Sequence, residues 1–375
     1  MNGKPLAVAM VVLLGTPAAA APAPVYRVET ACGTRPHCFP RVQAALDAAA
    51  RDGAERWITI AIGSGTFREK PVVRRDRLRI TGAGASRTRI VFDAVAQSAG
   101  RYDPANWGTP GSATLTIRAS DIVLRDLTIE NDFDYLANDA LPEGDPRKLT
   151  APQAVALLLD TGSDRLGFNG VSVLGYQDTL FTRGRRAWFR NGLIAGNIDF
   201  IFGDGALLIE DSEIRSRRRA APTPPDGFES FVTAPSTPAA QPIGIVVHRA
   251  RLTREGGVAD GSVALGRPWH PTTRFPDGRY ADPQAIGQAV FLDCHMDAHI
   301  HPDHWTGMAG TARDGTKTAL FRPEDSRFFE MGSQGPGARR NPLAIRWQGP
   351  VTIASAKAYI FAGWNAAGEP RKRPR

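Results

Sequence analysis

The chain has 375 residues, a formal net charge of +8 and three cysteines. A basic balance favours polyanionic partners, although a charge of this size also serves ordinary solubility. No C-x-x-C pair is present, so the cysteines point to no metal site.

Lys4 precedes an apolar run from Leu6 to Leu14, and small residues follow in GTPAAAAPAP (15–24). That order predicts a secretory signal peptide over residues 1–21 and one domain over 22–375. The run is too short to span a bilayer, and no cysteine follows it for a lipid anchor. The expected destination is the periplasm or the medium, with no membrane anchor. There, nucleic acid is excluded as a partner and an acidic polysaccharide or anionic surface fits the charge, which falls to about +7 with loss of Lys4. Cys32 and Cys38 can close a small loop in an oxidising compartment, leaving Cys294 unpaired and buried; other pairings stay open. The tail RKRPR (371–375) reads as a frayed basic end.

FPRVQAALDAAA (39–50) carries Val42, Ala45, Leu46 and Ala49 at helical spacing and predicts one short helix. Beyond it come short runs of Ile, Val, Leu, Thr and Phe, punctuated by Gly, Asn and Asp. No helix separates them, which argues against a doubly wound α/β fold. LTIEND, VSVLGY, GLIAGN and SEIRSR align on Thr128, Ser172, Leu193 and Glu213, at steps of 44, 21 and 20 residues. A step near 20 to 24 is one coil of a β-solenoid. The 44-residue step is two coils, or one coil with the polar insertion 131–149. The expected fold is all-β: a single-stranded parallel β-helix with a short N-terminal helix and long loops lining a cleft. A β-sandwich also supplies short strands but does not require the repeat. Segments 271–284 and 332–342 read as loops that cover one face and cap the end.

GNIDFIFGDG (196–205) reads as a buried strand holding a carboxylate, Asp199, and a buried charge needs partners or a task. Asp199 follows Asp178 by 21 residues, and Gln177 follows Gln153 by 24. Adjacent strands lie about 4.8 Å apart, so these four side chains belong on one strip across three coils. Two carboxylates about 5 Å apart split their pKa values, giving an acid and a base or nucleophile. The amides offer donors to an oxyanion, and the set suggests acyl transfer, here ester hydrolysis. In ALGRPWHP (264–271), Arg267 and Trp269 face the same way if the segment is a strand. Arg267 can grip a carboxylate and Trp269 can carry a sugar ring's apolar face.

QAVALLL, GYQDTLF, GNIDFIFGDGA and LGRPWHP resemble, in order and spacing, the four signature segments of the pectin methylesterases (pectinesterases), bacterial type. RVQAALDAA, GSGTFREKPVV and SRFFEMGSQGPGA extend the resemblance over nearly the whole chain. It implies a right-handed parallel β-helix acting on methyl-esterified homogalacturonan as a monomer, without metal or cofactor. Asp199 corresponds to the nucleophile and Asp178 to the acid that becomes the base. Gln177 corresponds to the oxyanion donor, Gln153 to a second polar contact, Arg267 to the holder of Asp199 and Trp269 to a sugar subsite. Thr109 and Thr272 resemble substrate-contacting positions. Phe202 packs on the sugar or fills the core. Arg219, ending RSRRR, meets a free carboxylate on the polymer or forms a solvated edge. Phe181 stands where many members have Tyr, and Asp204-Gly205 where they have Asn-Ala. Asp204 adds a carboxylate near the site that could shift the pH optimum.

A retaining glycosidase shares the carboxylate pair but has no role for the two glutamines. A polygalacturonase needs a Gly-His-Gly, and a pectate lyase an acidic calcium cluster, neither of which is seen. A relative acting on another ester, or only binding acidic polysaccharide, is the remaining alternative. DCHMDAHIHPDHW (293–305) mimics a metal site, but His295 and His299 share a face only on a helix, and the segment reads as strand and turn.

Overall fold

The computed structural model describes residues 25–53, 55–102, 108–220, 227–339 and 351–364. The segment 1–21, expected from sequence to be a signal peptide, and the basic tail lie outside them. Parallel sheets of eleven, eight and seven strands wrap around a shared core. The chain visits the three in turn: Leu166–Asn169, then Ser172–Leu174, then Leu180–Thr182, and back to the first at Arg186–Arg190. Each circuit is one coil of a parallel β-helix.

The registers follow the repeat. Thr128 pairs with Ser172, Ser172 with Leu193 and Leu193 with Glu213. The 44-residue step is therefore one coil, and its polar insertion carries the short helix Tyr135–Asp139. The period arises at the corner between the first two sheets. There a single residue turns the chain with left-handed φ: Asp126, Gly170, Asn191, Asp211, Arg249, Asp293 and Gly332. Asp, Asn and Gly tolerate that conformation, and Arg249 is held in it by two bonds to Asp211 one coil away.

Because coils stack in register, like side chains stack inside. One row of the first sheet runs Ile58, Leu78, Ile122, Leu166, Ala187, Leu207 and Ile245, all buried. The helix Val42–Arg51 buries Val42, Ala45, Leu46 and Ala49 against this core. Its first amides, of Val42 and Gln43, donate to the buried Glu69 carboxylate.

Close stacking leaves little room. Gly203 has φ +119°, and a Cβ there would sit 1.9 Å from the Thr182 carbonyl oxygen. Gly203→Ala is expected to cost about 2–5 kcal/mol through strain and overpacking. A denaturation midpoint matching the parent would contradict this.

Two features differ from the sequence reading. The segment 271–284 contains an antiparallel hairpin, Thr272–Phe275 with Gly278–Ala281. A second full helix, Ile353–Ile360, packs Ala356 and Ile360 on the outer face of the first sheet against Leu208, Val246 and Val290. It was missed because it packs outside the coils that carry the repeat. Cys32 and Cys38 form a disulfide, and Cys294 is free and buried, its thiol pushed up to about 12 by burial. Among the described residues no helix is long and apolar enough to cross a membrane.

Candidate active site

Asp178 and Asp199 sit at equivalent corners of neighbouring coils, where the chain enters the third sheet. Leu180 pairs with Ile201, and the Asp178 amide donates to the Ile198 carbonyl. Asp199 is not inside a strand, as the sequence suggested: the strand begins at Ile201. Both aspartates instead adopt left-handed φ, +64° and +52°. Corner backbone turns them into a cleft on the outer face while Leu180 and Ile201 point into the core.

Gln153 precedes Leu157–Leu159, the next strand of the same sheet. The strand step there is 23 residues while the glutamine step is 24. The extra residue is absorbed by a bulge in which the Ala156 and Leu157 amides both donate to the Thr179 carbonyl. The bulge restores the alignment of the two glutamines.

Arg267 follows strand Val263–Gly266 rather than lying within it, yet the ladder continues. Its amide donates to Thr233, and that of Trp269 to Pro235. The guanidinium grips Asp199 with two bonds of 2.7 Å, Nε to Oδ1 and Nη2 to Oδ2. It also lies 3.7 Å from the Phe231 ring centroid, so one aromatic face fixes its plane.

The two carboxyls differ in environment. Asp199 has its cation. Burial, then the Asp199 charge, push the Asp178 carboxyl well above the usual carboxylate range, and Arg267 offsets this only in part. Asp178 therefore holds its proton to higher pH than an exposed aspartate.

Thr109, Gln153, Gln177, Asp178, Asp199, Phe202, Arg267 and Trp269 together line a cleft of about 250 Å³, with Ala234 and Met308. Its apolar wall is a cluster of rings: Phe202 stacks on Phe181 with centroids 4.1 Å apart, and Trp269 meets Phe202 edge-on at 5.6 Å. Phe202 thus both fills the wall and faces the cleft.

The pectinesterase family model matches residues 33–365. The chain belongs to the pectinesterase family. It is 43% identical to pectinesterase A of Dickeya dadantii over 280 residues, covering 74% of this chain and 75% of that one. The pectin methylesterase PemA from Erwinia chrysanthemi superposes with a TM-score of 0.81 at 39% identity, over 93% of this chain and 99% of that one. A pectin methylesterase variant in complex with a hexasaccharide gives 0.82 at 38% identity, over 91% and 98%. Membership makes this chain a carboxylic ester hydrolase.

Not every expected residue of this pectinesterase reaches the cleft. Arg219 lines an adjoining hollow of about 310 Å³ that shares Gln153 and Gln177 with it. Its guanidinium is paired with buried Asp139 at 2.7 Å rather than presented as a free cation. Thr272 does not line the cleft; its hydroxyl shares a hydrogen bond with Thr311 where the hairpin begins. Asp204 is also outside the lining. Burial pushes its carboxyl above the usual carboxylate range, with Arg183 offsetting this in part. Met308 and Ala234 went unforeseen. Ala234 pairs with Phe202, but the insertion between their coils obscures the spacing. Among the described residues, the strand holding Met308 pairs only with another late segment, and the repeat gives it no signal.

The histidines of 293–305 are dispersed. His295 is exposed, His299 is buried with its pKa lowered to about 4 by desolvation, and His304 bonds the Gly337 carbonyl. Among the described residues no three His, Cys, Asp or Glu side chains converge as metal ligands.

Proposed function

We propose that the chain hydrolyses C6 methyl esters of homogalacturonan, releasing methanol and pectate, with Asp199 as nucleophile and Asp178 as general acid and base. The observation that supports it most is the asymmetric pair: one carboxyl gripped by Arg267, the other buried beside it and pushed above the usual carboxylate range by burial. The Asp199 carboxylate keeps lone pairs beyond those given to Arg267 and attacks the ester carbonyl. The carbonyl π electrons move to oxygen, and the Gln177 side chain, with Gln153 beside it, donates to that oxyanion. Collapse breaks the bond to methoxide, which leaves as methanol with the Asp178 proton, and a galacturonyl–Asp199 anhydride remains. Water attacks the anhydride while ionised Asp178 takes its proton. Asp199 leaves as carboxylate, and the new galacturonic acid loses its proton to solvent.

Trp269 offers an apolar face for a pyranose ring, with the edge of buried Phe202 beside it, and Thr109 a hydroxyl. A relative of the same fold is known with a hexasaccharide, and an oligosaccharide of uronate esters is the ligand proposed for this cleft. The proposal further takes residues 1–21 as a secretory signal, leaving a monomeric 22–375 domain that acts in the periplasm or the medium.

Gln177→Ala is expected to lower methanol release by about 10²–10³-fold with the fold intact, the usual effect of deleting an oxyanion donor. Methanol release from methylated pectin, compared with hydrolysis of small acyl esters, tests the substrate. Preference for the small esters would overturn the assignment to pectin.

A further inference from the structure

Tyr176 immediately precedes Gln177 in the chain, and its ring is held on both faces. Tyr135 stacks on one, with centroids 5.1 Å apart and planes 10° from parallel. The Arg217 guanidinium carbon lies 3.8 Å from the Tyr176 centroid. Two groups at those distances cannot share one face of a ring, so Tyr176 is clamped between them.

Each side of the clamp is anchored by its own bonds. Tyr135 is buried and opens the short helix of the 131–149 insertion. Asn138 closes that insertion on itself: its side chain accepts from the Leu149 amide and donates to the Leu149 carbonyl. Asp139 docks it on the coils by accepting from Arg219 at 2.7 Å and from the Ala220 amide at 2.9 Å. Arg217 follows strand Glu213–Ser216 and touches both catalytic segments. Its amide donates to the Gly196 carbonyl at 2.7 Å, and its Nη1 to the Gly175 carbonyl at 3.0 Å. Glu255 lies 3.7 Å from its Nε. The Tyr176 carbonyl in turn accepts from the Asn197 amide at 3.0 Å. On the other side of Gln177, Asp178 holds a φ of +64°, which a non-glycine residue keeps only where its surroundings impose it. The Gln177 backbone is thus set by a clamped ring before it and a left-handed corner after it. An oxyanion donor stabilises charge only from a fixed position, so what sets this backbone bears on the rate.

We propose that Tyr135 and Arg217 are positioning residues, which clamp Tyr176 so that the Gln177 amide is already aimed at the oxyanion when the ester arrives. The proposal rests on the esterase reading. It gives the polar insertion a part in the reaction although Tyr135 itself touches no reacting atom.

The test compares wild type, Tyr135→Leu, Tyr135→Phe and Arg217→Ala in steady-state methanol release from methylated pectin, with a denaturation midpoint for each. Tyr135→Leu and Arg217→Ala should each lower kcat about tenfold, less than loss of Gln177 itself, and leave KM within about twofold, because only a transition-state contact is misplaced. Tyr135→Phe keeps the ring and should restore kcat to near the wild-type value. Placed on Gln177→Ala, Tyr135→Leu should lower kcat no further, since the donor it aims is already gone. If Tyr135→Leu does not fold, Arg217→Ala, on the partly exposed side of the clamp, carries the same comparison, alone and on Gln177→Ala. Four results each overturn the clamp while leaving the esterase reading standing: wild-type kcat in the truncated variants, a loss confined to KM, equal losses with Phe and Leu, or a loss that multiplies with that of Gln177→Ala. Wild type that releases no methanol overturns the esterase reading and, with it, the positioning role.

Discussion

Asp178→Asn should abolish most methanol release and leave the protein more stable at neutral pH. Asn keeps the shape and removes the transferable proton, and acid–base groups of this kind contribute about 10²–10⁴-fold. The stability gain follows from the raised pKa. Folded Asp178 holds a proton that the unfolded chain releases at lower pH. Between the unfolded and folded values the unfolded state binds fewer protons, so stability falls as pH rises through that window. Asn carries no such loss. The gain in denaturation midpoint of the variant over wild type should be larger at about pH 8 than at about pH 5. The same titration removes the acid needed to protonate the departing methoxide, so kcat/KM of wild type should fall as pH rises through the raised value. A variant that stays active, or that loses stability equally at both pH values, would contradict the role given to Asp178.

Arg267→Ala should be damaging in the opposite sense, losing both activity and stability. Asp199 is 7% exposed, and its two oxygens are held by the one guanidinium. Removing one partner of a buried pair leaves a charge without compensation, at a cost of about 3–5 kcal/mol. Arg267→Lys separates charge from geometry. It keeps a cation near Asp199 but loses the two-point grip and the flat contact with Phe231. It should recover part of the stability and little of the activity. Full activity with Lys would reduce Arg267 to a neutralising charge.

The coil architecture was legible because parallel stacking writes its period into the chain. Thr128, Ser172, Leu193 and Glu213 align by sequence and are hydrogen-bonded neighbours in space. The same period brought Gln153, Gln177, Asp178 and Asp199 to one strip. What the period does not govern was harder to read. Arg219 looked like a free cation because its partner Asp139 lies 80 residues away in an insertion. Thr272 followed the Arg-Pro-Trp run in sequence, but the hairpin it opens carries it out of the cleft lining. Asp199 seemed embedded in a strand because its neighbours are apolar. Only the backbone shows that it turns a corner, and that turn directs its carboxylate outward to Arg267.

The central claim, that Asp199 attacks a galacturonate methyl ester, is tested most directly by methanol release from highly methylated pectin. The protein and its Asp199→Ala variant would be compared, both shown to be folded. Release by wild type and none by the variant is the predicted result. Equal release by the two would contradict Asp199 as nucleophile, and release by neither would contradict pectin as the substrate.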